Sequence, residues 1–196
     1  YMLPAYEKIH SIELSEKWYN YNVELWKNCD NVFLYHGDSK EMLPKILENI
    51  NEPAIFFLDA HYSGEFTAMG DNDSPLLEEL HTLKNRPYDD IIIIDDCRFI
   101  GDKGTTGIPG DPVYPTMNFD WTHITTEKIN SLMKEGYIML TNENQQYTDG
   151  REDEIVLVKP KKQKHAVIVT SAINSKFGVF NPSQRLQQTL ETISSV

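Results

Sequence analysis

The sequence predicts an α/β protein built on a doubly wound, mostly parallel sheet, closed by an antiparallel hairpin and followed by the start of a second α/β unit. Three observations lead there. Asp90 to Arg98 reads DIIIIDDCR, and four consecutive isoleucines mark a strand buried on both faces, which belongs in the middle of a parallel sheet. Ala54 to His61, AIFFLDAH, repeats the pattern upstream. Between such strands lie amphipathic stretches of helical spacing, the alternation that builds parallel sheets through helical crossovers.

Bulk properties narrow the function classes. The chain has 196 residues, 40% of them hydrophobic, enough for a proper core. A net charge of −12 excludes a nucleic-acid backbone as partner, because phosphate binding needs a basic face. No apolar run approaches membrane-spanning length, so no membrane association is expected. The two cysteines, Cys29 and Cys97, are far apart and lack metal-ligand spacing; two free thiols suit a reducing, cytoplasmic setting. Cys97 neighbours two carboxylates but has no evident basic partner to make it a nucleophile.

Each element has its own signal. Lys8–Leu14 is an expected strand ending in Glu13. Ser15 is a helix N-cap, and the helix SEKWYNYNVELWKNC places Trp18, Tyr21 or Asn22, Leu25 and Trp26 near one face. Asp30-Asn31 breaks it. Val32–Tyr35 is the second strand, followed by His36-Gly37-Asp38-Ser39 and a short helix restarting at Pro44. Ala54–Asp59 is the third strand. The polar loop YSGEFTAMGDND leads to a helix opened by Ser74-Pro75, and Asp90–Asp95 is the next strand. Residues 101 to 121, with many Gly and Pro and with Tyr114, Phe119 and Trp121, form an expected lid. Thr125 or Thr126 caps a helix that Gly136 ends. Tyr137–Thr141 and Glu154–Lys159 are an expected antiparallel pair at the sheet edge. Residues 1–160 form this first domain. From 161 on, a basic linker, the strand HAVIVTSAI and a helix opened by Asn181-Pro182 are expected to begin a second domain.

The early strands all end in acids: Glu13, Asp38, Asp59 and Asp95. Ligands of an open α/β sheet gather at the carboxyl ends of its strands. Adjacent parallel strands would bring Asp59, Asp95 and Asp96 together, and like charges at close range need a cation or a proton. Oxygen ligands without cysteine suit Mg²⁺ or a similar ion. Glu13 is placed to accept ribose hydroxyls, and Asp38 to accept from an adenine amino group. Each of these acids has a plainer alternative role, capping a turn or facing a helix N-terminus.

In this order, SIELS, HGDS, FFLDAHYSG and IIIIDD resemble the class I S-adenosylmethionine-dependent methyltransferases, over about residues 1 to 160. The acids are similar to those of the metal-dependent sugar O-methyltransferases of the macrocin and mycinamicin type and their cephalosporin-hydroxylase-like relatives. The resemblance implies a Rossmann-like sheet and binding of S-adenosylmethionine through Glu13, Asp38 and Ser39. It further implies Mg²⁺ held by Asp59, Asp95 and Asp96, and a sugar, nucleotide-sugar or glycan acceptor. His61 becomes a candidate base, and Arg98 and Tyr62 candidates to orient the acceptor. A second enzymatic domain and a homo-oligomer are the expected macromolecular partners.

The sequence departs from that family in one respect. The family begins with a central strand and a glycine-rich turn, and nothing before Lys8 supplies them. Upstream residues are the expected filler, with HAVIVT as the alternative. Two further readings share the same acids: a metal-dependent hydrolase or other transferase acting on a small polar substrate, and a non-catalytic domain supporting a glycan-processing partner.

Overall fold

The computed structural model describes residues 6–64, 67–110, 115–141, 155–158 and 165–170. The chain is an α/β protein in which strands alternate with helices. The strands β1 (Ile9–Glu13), β2 (Val32–His36), β3 (Ala54–Asp59) and β4 (Ile91–Ile94) are separated by α1 (Glu16–Trp26), α2 (Ser39–Leu47) and α3 (Leu76–Lys84). A hairpin of β5 (Lys103–Thr106) and β6 (Met117–Asp120) follows. Then come α4 (Thr126–Leu132), β7 (Ile138–Thr141), β8 (Ile155–Val158) and β9 (His165–Thr170).

Seven strands form one sheet in the order β2-β1-β9-β3-β4-β8-β7. The pairs β1–β2, β1–β9, β9–β3 and β3–β4 are parallel, while β8 runs antiparallel to both β4 and β7. The antiparallel pair at one edge agrees with expectation. The strand between β1 and β3 does not. His165–Thr170, expected to open a second domain, lies in the middle of this sheet, with Ile9 opposite Ala166 on one side and Asp59 opposite Thr170 on the other. It takes the place expected for residues upstream of Tyr1, so the expected boundary near 160 cuts through the sheet. The helix expected after Asn181-Pro182 lies outside the described residues.

Local physics accounts for most elements. Every residue of β3 and β4 is buried, as their unbroken apolar runs require. In α3 the buried positions Leu76, Glu79, Leu80 and Leu83 follow helical spacing, one of them an acid on an otherwise apolar stripe. Asp38 caps α2, accepting from Lys40 N at 3.0 Å. That helix runs on through Pro44 rather than restarting there. In α1, Trp18 and Asn22 are buried, while Tyr21 and Leu25 face solvent. The described parts of the expected lid form the β5–β6 pair, and Phe119 packs on Phe99 with ring centres 4.4 Å apart; Tyr114 lies outside the described residues. Phe56, Leu58, Ile92 and Ile94 of the sheet meet Leu43 and Ile46 of α2 and Leu80 and Leu83 of α3 in the core. Each such side chain stabilises the fold by about 1.5–3 kcal/mol. Among the described residues no helix is long and apolar enough to cross a membrane.

The amino edge of the sheet is tied by one buried ion pair that the sequence did not signal. Arg86 donates to Asp90 from Nε at 2.7 Å and to the carbonyls of Ile50 and Glu52 at 3.1 and 2.8 Å. Asp90 in turn accepts from Ala54 N at 2.9 Å. The pair thus joins the end of α3 to the starts of β3 and β4. Arg86→Ala leaves Asp90 buried with its charge uncompensated and should cost about 3–5 kcal/mol. Urea unfolding measures it, and a loss under about 1 kcal/mol would show that the clamp carries little.

Candidate metal centre

The site is built at the carboxyl ends of β3 and β4. β3 ends at Asp59, and two residues later the chain presents His61. After β4, Asp95 extends the pairing by donating from its N–H to Leu58 O at 3.1 Å. Asp96 then adopts the left-handed conformation, φ 57° and ψ 32°, alone among the described non-glycine residues. That geometry costs an ordinary residue about 1–2 kcal/mol, and Asp tolerates it better than most. The Asp95 carboxylate helps hold the turn by accepting from Asp96 N at 2.8 Å.

His61 sits between two acids. Its Nδ1 is 3.2 Å from Asp59 Oδ1 and its Nε2 is 2.8 Å from Asp96 Oδ2. Ser63 Oγ lies 2.7 Å from the same Nε2. Trp121, carried in by the chain leaving β6, stands edge-on to the imidazole with ring centres 5.8 Å apart. Arg98 forms an ion pair with Asp96 and lies over the Phe99 ring, 4.3 Å from its centre. Burial opposes a charge on His61, but the Asp96 charge and the hydrogen bonds to Asp59 and Asp96 outweigh it and hold the imidazole well above its ordinary value.

One ligand atom from each of Asp59, His61 and Asp96 lies within 4.8 Å of the other two. Opposite ligands of an octahedral Mg²⁺ are about 4.2 Å apart, so a modest contraction would enclose an ion. Asp59 and Asp96 are only 5% and 7% exposed. The grouping differs from the expected Asp59, Asp95 and Asp96: His61 stands in it, and Asp95 is engaged with Asp96 N instead. An imidazole beside two carboxylates accepts Mn²⁺, Fe²⁺ or Zn²⁺ as readily as Mg²⁺.

A fourth acid of the region, Glu79, is not among the residues that the sequence singles out. Glu79 of α3 is 1% exposed, and its Oε1 has no hydrogen-bond partner. With Asp59, His61, Asp95, Ser74 and Trp121 it lines a small cavity of about 200 Å³, counting space open to solvent. Burial pushes its carboxyl up to about 8; the nearby Ser39 hydroxyl lowers it, and the charges of Asp38, Glu78 and Asp59 raise it. The signal was available: an acid at the fourth position of the stripe Leu76, Leu80, Leu83.

The expected cofactor residues lie beside a larger cleft of about 510 Å³, also counted with open space, near the ends of β1 and β2. Asp38, Ser39, Gly37 and Tyr62 line it. Asp38 is also 3.6 Å from Lys40 Nζ, and Lys40 bridges onward to Asp71. Ile12 and Leu14 line the cleft, whereas Glu13 between them turns its carboxylate onto Ser15 N at 2.8 Å. Burial raises the Glu13 carboxyl to about 7 against the backbone N–H groups of Ser15 and Leu14.

No family model, curated protein or solved structure matches this chain.

The shifted groups make the metal-free protein pH-sensitive in one direction. Glu13 and Glu79 are raised from 4.5 to about 7 and about 8, so their contribution is complete below about 4.5 and is lost as pH rises through those values. His61, also raised, loses its contribution as pH rises past 6.5 toward its folded value. The lowered, exposed Asp71, Asp120 and Glu127 act below this window. In chelator, the melting temperature should fall between about pH 5 and pH 8, less steeply in Glu79→Gln. A melting temperature that rises across that range would contradict the assignment.

Proposed function

We propose that this chain is an S-adenosylmethionine-dependent O-methyltransferase that uses a divalent cation at Asp59, His61 and Asp96 to act on a sugar or glycan hydroxyl. The observation that carries this reading is the strand order. With β9 counted as the central strand, β2-β1-β9-β3-β4 reproduces the 3-2-1-4-5 order of a Rossmann-like doubly wound sheet. The antiparallel β8 and β7 complete the edge suggested by the sequence resemblance. In such sheets ligands bind at the carboxyl ends beside the central strand, and both the acid group and the larger cleft are at that edge.

The residues fit the two groups unequally. For the cation, two carboxylates and an imidazole already converge. For the cofactor, the cleft beside the ends of β1 and β2 offers a place at the same edge. Asp38 and Ser39 offer polar atoms there, and Asp38 is suited to an adenine amino group. A ribose role for Glu13 requires its carboxylate to leave Ser15 N. The residues that follow Thr170 lie outside the described residues.

When bound, the cation would hold vicinal hydroxyls of the acceptor and lower the pKa of one. The side chains do the rest. Both ring nitrogens of His61 face carboxylates, so in place of the free base expected from the sequence, one nitrogen of the neutral ring would hold the cation while the other donates to its carboxylate. Arg98 orients Asp96 and offsets its charge. Trp121 walls the site against water, which strengthens every charge interaction inside it.

The imidazole in the donor set also favours a second reading, a metal-dependent hydrolase acting on a small polar substrate, since such donors suit hydrolytic Zn²⁺ and Mn²⁺ sites. Calorimetric titration separates the two. The methyltransferase reading requires S-adenosylmethionine and S-adenosylhomocysteine to bind, and Asp38→Ala should weaken both about tenfold or more through loss of a charged acceptor. Asp96→Ala should abolish cation binding. Cation binding with no binding of either cofactor form would leave the hydrolase reading standing alone.

A further inference from the structure

We propose that Glu79 belongs to the cation site, engaging the ion bound by Asp59, His61 and Asp96 from the α3 side, directly or through a coordinated water. The inference rests on the reading of that group as a cation site and adds a fourth protein group to it.

Three observations carry it. First, Glu79 occupies a buried position of α3, on the stripe that Leu76, Leu80 and Leu83 otherwise fill. Burying a carboxyl there is expensive unless something compensates it. Second, the protein supplies only partial compensation: the Ser39 hydroxyl lies near the Glu79 carboxyl, yet Glu79 Oε1 has no partner of hydrogen-bond geometry. Native proteins leave few buried polar atoms in that state, and ion sites are among the places where they do. Third, Glu79 lines the same small cavity as Asp59, His61, Ser74 and Asp95, so the residue with the orphan oxygen borders the space that two of the three converging ligands border.

Charge balance points the same way. Asp59, Asp96 and Glu79 are buried acids, and Arg98 offsets one of them. A dication with a neutral His61 offsets the other two. Asp95, half buried, has its carboxylate engaged by Asp96 N. A cation held this way ties α3 to the ends of β3 and β4, so its binding is felt as stability as well as affinity.

The test is titration of the chelator-treated full chain with MnCl₂ and MgCl₂ by calorimetry, alongside thermal melts with and without each salt. The proteins are the wild type, Glu79→Gln and Glu79→Leu. Loss of a supporting carboxylate should weaken cation affinity about 10–100-fold and shrink the cation-induced melting shift in both variants. Without cation, Glu79→Leu should melt no lower than the wild type, since an apolar side chain replaces an uncompensated acid. Wild-type binding with unchanged affinity in both variants overturns the role of Glu79 and leaves the Asp59–His61–Asp96 site standing. Absence of cation binding in the wild type overturns both. If Glu79→Gln does not fold, Glu79→Leu decides. Failure of both to fold without cation marks Glu79 as a structural acid and also overturns the proposal.

Discussion

Between β1 and β3 the backbone groups facing each other are too deep in the sheet to be solvated, and each unpaired N–H or C=O there would cost energy comparable to a lost hydrogen bond. β9 meets that constraint by pairing in parallel with both neighbours, four residues in register with β1 and six with β3. Without it the parallel sheet would divide into β2-β1 and β3-β4 portions. With it, the carboxyl ends of β1, β9, β3 and β4 form one edge, and the cleft by Asp38 and the acid group by His61 become parts of the same surface. The position of the site thus follows from a requirement of backbone hydrogen bonding.

The two ends of β3 and β4 show opposite solutions to buried charge. At the amino end, Arg86 and Asp90 satisfy each other and the carbonyls around them, a closed arrangement with no capacity for a ligand. At the carboxyl end, acids outnumber the basic groups that could balance them. Asp96 stands in a strained backbone conformation, His61 is drawn toward the charged form by acids on both sides, and Glu79 is held with an unbonded oxygen. Strain and incomplete polar satisfaction in the same few residues are the physical marks of a site adapted to something it binds. The contrast within one pair of strands argues against treating the carboxyl-end charges as general surface polarity.

The hairpin after the 3₁₀ turn at Cys97–Phe99 couples the site to the core. Phe99 packs against Phe119 and Trp121, and Trp121 reaches His61. A region that composition alone marks as a loose lid is held by aromatic contacts next to the charged group. Those contacts set Trp121 edge-on to the His61 imidazole.

What the sequence determined by itself is what depends on neighbours along the chain. The buried runs AIFFLD and IIII, the antiparallel edge pair and the acids that end the strands were legible, because burial on two faces and turn formation leave marks within a few residues. Tertiary structure decided which distant segments meet. That β9 fills the centre of the sheet depends on pairing across more than a hundred residues, and an apolar strand carries no mark of its partner. That His61 rather than Asp95 joins Asp59 and Asp96 depends on the left-handed turn at Asp96, which spends the Asp95 carboxylate on a backbone N–H. That Arg86 closes one end while Glu79 faces the other depends on how α3 lies on the sheet. Periodicity showed which face of α3 is buried; only packing set which buried acid finds a partner and which is left to face the site.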